Sequence, residues 1–136
     1  MNGHYSHSLD AKGRISIPAK FREELGVSFI VTKGFDKCLA VYPMSELEAL
    51  QEKINSLSIR KARQLQMFIV APAQDCEADN HGRVLLSQEL REYAGLEKNV
   101  VVVGMTKHAE IWDEDVWKNT LVTAEEALDI LEGDGI

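Results

Sequence analysis

Short runs of alternating apolar and polar residues mark the beginning of the chain. Tyr5, His7 and Leu9 occupy every second position, which is typical of a strand with one buried face. The tetrapeptide Asp-Ala-Lys-Gly at 10–13 has the composition of a tight turn that ends in a glycine able to adopt positive φ. Residues 14–17 then resume an alternating pattern. These patterns predict two strands joined by a turn.

A short helix and a hairpin are predicted next. Pro18 suits the start of a helix and Gly26 its end, so a helix is expected over 19–25. The apolar runs at 29–32 and 38–42 are then expected to pair as two antiparallel strands. Strand, turn, strand, helix and hairpin together form one structural unit.

The same unit recurs 69 residues later. The stretch DAKGRISIPAKFREELGV at 10–27 aligns with DNHGRVLLSQELREYAGL at 79–96. After one inserted residue the alignment resumes with Gly34 opposite Gly104. Charged, glycine and apolar positions are kept together over more than thirty residues. This pattern predicts an internal duplication.

Helices are predicted between and after the two repeats. Ser45 and Glu48 have the spacing of a capping box, as do Thr123 and Glu126 before an acidic helix that ends at Gly133. A repeat of about forty residues buries too little surface to fold alone, so the two copies are expected to interlock around one core. We predict an α+β fold, mainly β, with the following parts: a first unit at 1–44, linking helices at 45–70, a second unit at 71–113 and an acidic C-terminal helical segment at 114–136.

Composition narrows the class of protein. With 45% hydrophobic residues the chain can bury a core. The first residues lack the pattern of a secretory signal, and the longest apolar run, at 100–105, is too short to cross a bilayer. Cys38 and Cys76 are expected to be ordinary thiols, with a zinc site or a disulfide as the alternatives. A soluble, cytoplasmic protein without a cofactor is expected.

Charge is distributed unevenly along the chain. The net charge is −7, yet residues 111–136 carry eight acidic residues against one lysine, whereas residues 1–37 carry six basic residues against four acidic ones. The segment 10–22 has four basic residues and one acidic residue. Binding responds to local potential, so the acidic average does not exclude a surface that binds DNA.

An acidic residue and an arginine lie four positions apart at the turn of each repeat. This spacing joins Asp10 to Arg14 and Asp79 to Arg83, and across a turn it brings carboxylate and guanidinium together. In one interpretation such pairs only brace the turns, and an ion pair on the surface contributes little to stability. The nearby cations are then a solvated face. The residues assigned to bracing are Asp10, Gly13, Asp79, Gly82 and Arg83.

In the other interpretation the basic segment 10–22 contacts DNA. A two-stranded ribbon fits the major groove, where arginine donates bidentately to guanine while lysine neutralises phosphate. In the second repeat His81 and Glu89 stand at the positions of two lysines, so 79–91 is neutral. We therefore expect the first repeat to contact DNA and the second mainly to complete a barrel. The residues assigned to DNA binding are Lys12, Arg14, Lys20 and Arg22.

The sequence resembles the MraZ family of bacterial transcriptional regulators, which is associated with the division and cell-wall gene cluster. The resemblance rests on SLDAKGRISIPAKFRE, GFDKCLAVYP, DNHGRVLL and REYAGLEKNVVVVG, and it covers nearly the whole chain. It implies two fused AbrB-like units in a double-psi or swapped-hairpin barrel, ring-shaped homo-oligomers, and binding to direct repeats in double-stranded DNA upstream of the protein's own operon. It ties Arg14 to DNA binding, whereas Lys12, Lys20 and Arg22 are assigned on charge.

The expected function is that of a regulator that represses by occupying a promoter on the nucleoid. No catalytic motif is present and the four histidines are scattered, so an enzyme is not expected. His4 and His7 have the spacing of a metal site but would face opposite sides of a strand. An antitoxin-like module that binds a protein through its acidic tail is the main alternative, and a ring without a nucleic-acid role is another. Trp112 and Trp117 are expected to pack inside the protein or between subunits.

Overall fold

A computed structural model of the protein describes residues 1–133, so the last three residues of the predicted segment 114–136 lie outside it. The strands are β1 (His4–Ser8), β2 (Arg14–Ser16), β3 (Ser28–Lys33), β4 (Leu39–Pro43), β5 (Gln74–Glu77), β6 (Arg83–Leu85), β7 (Asn99–Gly104) and β8 (Ala109–Asp113). The helices are α1 (Ala19–Leu25), α2 (Met44–Asn55), α3 (Ile59–Leu65), α4 (Gln88–Tyr93), α5 (Glu114–Asn119) and α6 (Ala124–Gly133), with a π-helical segment at Gln66–Val70 after α3.

The two repeats exchange strands. Six strands form one antiparallel sheet in the order β1-β7-β8-β4-β3-β5, and β2 and β6 form a separate two-stranded sheet. The first strand of each repeat pairs with a strand of the other repeat, because β1 lies against β7 and β5 lies against β3. β4 and β8 join the two hairpins. The fold is therefore a mixed, mainly antiparallel structure built from two interlocked units.

One core serves both repeats. Ile15, Phe21 and Val31 of the first repeat lie in the same buried cluster as Leu90 and Ile111 of the second. Each of these five side chains is fully buried. The expectation that the two copies share a core is confirmed.

Helices cover the outer face of the large sheet, which makes β3 and β7 buried on both sides. The linking helices form a small apolar cluster of their own around Ile54, Ala62 and Ile69, and the hydroxyl of Thr32 on β3 donates to the carbonyl of Ile69 at 2.5 Å. At the other half of the sheet, Trp112 packs against Trp117 of α5 with ring centroids 5.9 Å apart. The expected packing role of the two tryptophans is confirmed.

The predicted helix starts have different outcomes. Ser87 and Thr123 act as N-caps, since their hydroxyl oxygens accept the backbone N–H of Leu90 at 3.2 Å and of Glu126 at 3.1 Å. The capping box at Ser45 is wrong. β4 runs through Pro43 directly into α2, which begins at Met44, so that Ser45 already lies in the first turn.

The correspondence between the hairpins also differs from the sequence alignment. β7 begins 71 residues after β3, not 70, and Gly104 is the last residue of its strand whereas Gly34 follows β3. Two extra residues precede β7, and the turn after it is one residue shorter. In the first turn the backbone N–H of Gly34 donates to the carbonyl of Cys38 at 2.7 Å, and in the second the backbone N–H of Met105 donates to the carbonyl of His108 at 2.8 Å. The alignment was shifted because two compensating length changes look like one insertion.

Candidate nucleic-acid interface

The first turn is held together by one carboxylate. One oxygen of Asp10 accepts the backbone N–H groups of Lys12 at 3.0 Å and of Arg14 at 2.8 Å. The other oxygen accepts Nε of Arg14 at 2.7 Å. Gly13 has a φ of 86°, a conformation that other residues rarely adopt. The turn therefore fixes its own backbone and also the base of the arginine side chain.

The second turn repeats this arrangement. Asp79 accepts the backbone N–H groups of His81 at 2.8 Å and of Arg83 at 2.9 Å, and Nε of Arg83 lies 3.2 Å from its second oxygen. Gly82 has a φ of 74°. The same spacing of aspartate and arginine gives the same local structure in both copies.

The two turns lie side by side, because β2 and β6 pair with Ser16 opposite Arg83. Nη1 of Arg83 lies 4.0 Å from the carboxylate of Asp10 in the first turn. This pairing corrects one expectation. Segment 10–22 does not form a ribbon with β1, since β1 is recruited into the large sheet by β7. The two-stranded ribbon consists of one strand from each repeat.

Arg22 has a different setting from the other cations assigned to DNA binding. Its Nε donates to the carbonyl of Ile17 at 3.1 Å, and a Cβ placed on Gly82 would lie 2.8 Å from its Cζ. The guanidinium of Arg22 therefore packs on the turn of the other repeat. In the same way, Arg91 donates to Leu86 at 3.2 Å and lies against Gly13.

This reciprocal packing was missed at the sequence level, although a signal was present. The arginine and the glycine recur in both repeats, whereas the lysines of the first repeat do not recur in the second. A residue needed for folding is expected in both copies of a symmetric unit. The contact itself crosses between repeats, so spacing along one segment could not show it.

The remaining cations of the basic segment differ in exposure. Lys12 and Lys20 are exposed, as phosphate contacts require. The side chain of Arg14 is 29% exposed, close to the 32% of Arg83. Among residues 1–133, the side chain of Arg14 hydrogen-bonds through Nε alone, which leaves both of its terminal nitrogens available to an outside acceptor. Arg14 is thus oriented by the protein at one end and unpaired at the other.

The pKa of the Asp10 carboxyl is expected to be about 2 in the folded protein. The backbone N–H of Arg14 is the largest cause, followed among the favourable contacts by its side chain and by the backbone N–H of Lys12. Because the folded pKa is depressed, the contribution of this turn to stability is present above the ordinary value of 3.8 and is lost as the pH falls through about 2.

A carbon-detected NMR titration of the Asp10 carboxyl checks this prediction. Arg14→Ala keeps the backbone N–H donor and removes the guanidinium, so the pKa should rise only in part. Return to the full ordinary value in that variant would contradict the dominant role of the backbone.

A family model described as "MraZ protein, putative antitoxin-like" matches the chain twice, over residues 1–68 and 69–130. The chain belongs to the MraZ family. Each match contains one complete Asp-x-x-x-Arg turn, so the internal duplication is a property that the family model also detects.

Relatives within the MraZ family cover most of the chain. The protein named Transcriptional regulator MraZ in Carboxydothermus hydrogenoformans is 52% identical, over 86% of this chain and 83% of the relative. Proteins of the same name in Natranaerobius thermophilus and Caldanaerobacter subterraneus subsp. tengcongensis are 44% and 45% identical, over 93% and 96% of this chain and 90% and 95% of the relatives. These MraZ proteins are named as regulators and not as enzymes, in agreement with the expectation from the sequence.

The two cysteines and His4 are the remaining residues that were considered as site residues. Cys38 and Cys76 are buried free thiols, as expected, and burial raises the pKa of the two groups to about 12 and about 11. In the described range 1–133 no cluster of three metal-ligating side chains is found, and His4 instead lies 5.9 Å from the ring of Trp117. No helix within that range is long and apolar enough to cross a membrane.

Proposed function

We propose that the protein is a DNA-binding transcriptional regulator that acts as a homo-oligomeric ring. It represses the division and cell-wall gene cluster by occupying short direct repeats upstream of its own operon, in association with the nucleoid. The fold is an AbrB-like swapped-hairpin barrel, with units at 1–44 and 71–113, linking helices at 45–70 and the acidic segment 114–136. The exchange of β1 and β5 between repeats supports this assignment of the fold.

The single observation that carries the proposal is the state of Arg14. Its Nε is held at 2.7 Å by Asp10, while its terminal nitrogens have no acceptor within residues 1–133. Two parallel donors on a fixed guanidinium match the two acceptors on the major-groove edge of guanine. The aspartate therefore orients the arginine for base contact without using the donors that the contact needs.

Arg83 is less suited to reading a base. Its Nε is held by Asp79 at 3.2 Å, and its Nη1 also lies 4.0 Å from Asp10. The position of Lys12 is taken by His81 in its turn. We assign Arg83 to bracing the paired turns and Arg14 to base contact.

Phosphate contacts are assigned to the exposed side chains of Lys12 and Lys20. Arg22 completes the basic segment, and its packing on Gly82 indicates that it acts by holding the turn as much as by its charge. One subunit that neutralises about three phosphates binds weakly. The logarithm of its binding constant falls with log[salt] with a slope of about −0.9 per phosphate. Several subunits on one ring gain affinity because the second contact becomes intramolecular.

A binding titration on DNA from upstream of the protein's own operon tests the proposal. At two salt concentrations, we expect tighter binding to this DNA than to a scrambled duplex of equal length, with the steep salt dependence of phosphate contacts. Equal affinity for both duplexes would contradict sequence-specific regulation. The absence of binding at low salt would contradict a role in DNA binding altogether.

The antitoxin-like alternative rests on the acidic C-terminal segment. Residues 118–133 are all exposed, so this segment is accessible to a partner protein in the isolated subunit. Two fused units in one chain argue against this alternative, since antitoxins of this fold usually carry one unit per chain. Stoichiometric co-purification of a small basic protein, together with loss of DNA specificity, would favour this alternative over a regulator.

A further inference from the structure

Helix α6 has an apolar face that no other part of residues 1–133 covers. Leu128 and Leu131 lie on one side of the helix with Ala124 and Ala127, at the spacing of an amphipathic helix. Leu128 is 54% exposed and Leu131 is 46% exposed. A helix of ten residues is marginal in water unless its apolar face packs against something.

The linking helices form a groove that is lined in part by large apolar side chains. Two adjoining cavities of about 410 and 340 Å³ lie between α2 and the continuous stretch of α3 and the π-helical segment. Ile54, Met67 and Val70 line the first cavity, and Ile59 lines the second. Met67 is 61% exposed and Ile59 is 90% exposed, so the groove presents large apolar side chains to its surroundings.

Charge at the two surfaces is complementary. Arg63 is the one charged residue that lines either cavity, and it lies on α3 with Arg60 and Lys61 and no acidic residue. Within residues 1–133, none of these three cations takes part in an ion pair. Helix α6 carries four acidic side chains and no basic one: Glu125, Glu126, Asp129 and Glu132.

We propose that α6 of one subunit docks into the α2–α3 groove of a neighbouring copy of the same chain. Leu128 and Leu131 enter the apolar floor beside Met67, while the acidic face of α6 lies next to the cations of α3. This proposal rests on the proposed homo-oligomer and specifies which surfaces join its subunits. Each subunit then offers one groove and one helix, a head-to-tail contact that can close into a ring.

The groove fits a protein helix better than a nucleic acid. Arg63 is the single cation in the described lining, whose other polar side chains are the uncharged amides of Gln51, Asn55 and Gln66, whereas nucleic-acid binding relies on several cations that neutralise phosphates. Docking on the subunit's own groove would satisfy the same chemistry. The experiment therefore separates three occupants of the groove: a second copy, the same chain, and DNA.

Disulfide trapping in the full-length protein makes this separation. Chains carrying Met67→Cys are refolded together with chains carrying Leu128→Cys and oxidised without DNA. We expect a covalent dimer from the mixture and none from either chain alone. Cys38 and Cys76 are buried and do not compete. A chain carrying both substitutions is expected to give a ladder of covalent multimers, and an internally closed monomer would overturn the proposal.

The mass of the assembly gives an independent measurement. Leu128→Ser with Leu131→Ser is expected to weaken self-association by on the order of 100-fold, since two apolar side chains lose their burial. Val27→Ser is the control and should leave the mass unchanged, because Val27 is 82% exposed and lies outside both α6 and the groove. Unchanged mass in the double variant would overturn the proposal.

The two proposals fail separately. Self-association is measured without DNA, so its result does not depend on whether the protein binds the upstream DNA. Replacing Arg60, Lys61 and Arg63 by glutamine should lower the mass of the assembly. If it changes only the salt slope of DNA binding, the groove binds nucleic acid and the docking proposal is wrong.

Discussion

Arg14→Ala is expected to lower the affinity for the upstream DNA by more than about 100-fold when the protein binds as an oligomer. A bidentate arginine–guanine contact is worth about 1–3 kcal/mol of discrimination at one site. Several subunits contact neighbouring repeats at once, so the loss at each subunit is multiplied across the assembly. Binding to a scrambled duplex should fall far less, because the exposed lysines still neutralise phosphate.

The second repeat supplies the matched control for this experiment. Arg83→Ala removes a guanidinium of nearly equal exposure from the same strand pair. Because Nη1 of Arg83 also approaches Asp10, we expect a small loss of stability and retention of most DNA affinity. Circular dichroism and the mass of the assembly, measured for both variants, exclude unfolding as the cause. Equal losses of affinity in both variants would show that the two turns read DNA together.

Asp10→Asn separates orientation from charge. The variant keeps Arg14 and makes the turn more positive, yet it removes the carboxylate that holds Nε at 2.7 Å. If that orientation matters, specific affinity falls although the local charge favours DNA. If affinity instead rises for every sequence, Asp10 acts only by repulsion and the proposed orienting role is wrong.

Phe21→Ala is expected to lower the free energy of unfolding by about 3–5 kcal/mol, because it leaves a cavity in a well-packed core. Phe21 is fully buried and meets the ring of Tyr5 edge-on at 5.4 Å. A domain of this size has a total stability of about 5–15 kcal/mol, so the loss is a large fraction of it. Val27→Ala, at a position that is 82% exposed, is the control and should change stability by less than about 0.5 kcal/mol.

The unfolding of the Phe21 variant also tests whether the repeats are independent. Trp112 and Trp117 belong to the second repeat and to α5, whereas Phe21 belongs to the first. With one shared core, tryptophan fluorescence should follow the same shifted transition as circular dichroism, at one protein concentration. A tryptophan transition left at its original midpoint would show two separately folding units.

Local signals in the sequence predict the elements of each repeat well. Gly26, Ser87 and Thr123 mark helix boundaries because a positive φ or a capping hydroxyl acts over a few residues. Ser45 failed as a cap because α2 begins one residue before it, with Pro43 in the capping position. The equivalent junction of the second repeat is capped one residue before its helix, where the carboxylate of Asp113 accepts the backbone N–H of Val116 at 3.2 Å.

Pairing between the repeats could not be predicted from such signals. Which strand meets β1 depends on the edges that the other repeat exposes, and this information is spread over the whole chain. The bracing of Arg14 by Asp10 was accessible because both residues lie in one turn. The packing of Arg22 on Gly82 was not, since the two residues are far apart in sequence and meet only after the strands exchange.

Because the two halves of the chain exchange strands, they fold together, while their surfaces can change independently. Each half has the outline of a protomer in an intertwined dimer, and α2 and α3 tether the halves so that their pairing does not depend on protein concentration. Identical protomers must carry every surface substitution twice. Units that are fused in one chain can differ, so that Lys12 stands at the first turn and His81 at the equivalent position of the second. The chain is therefore equivalent to a covalent heterodimer. Its two surfaces can differ, whereas both halves must keep the residues of the shared core.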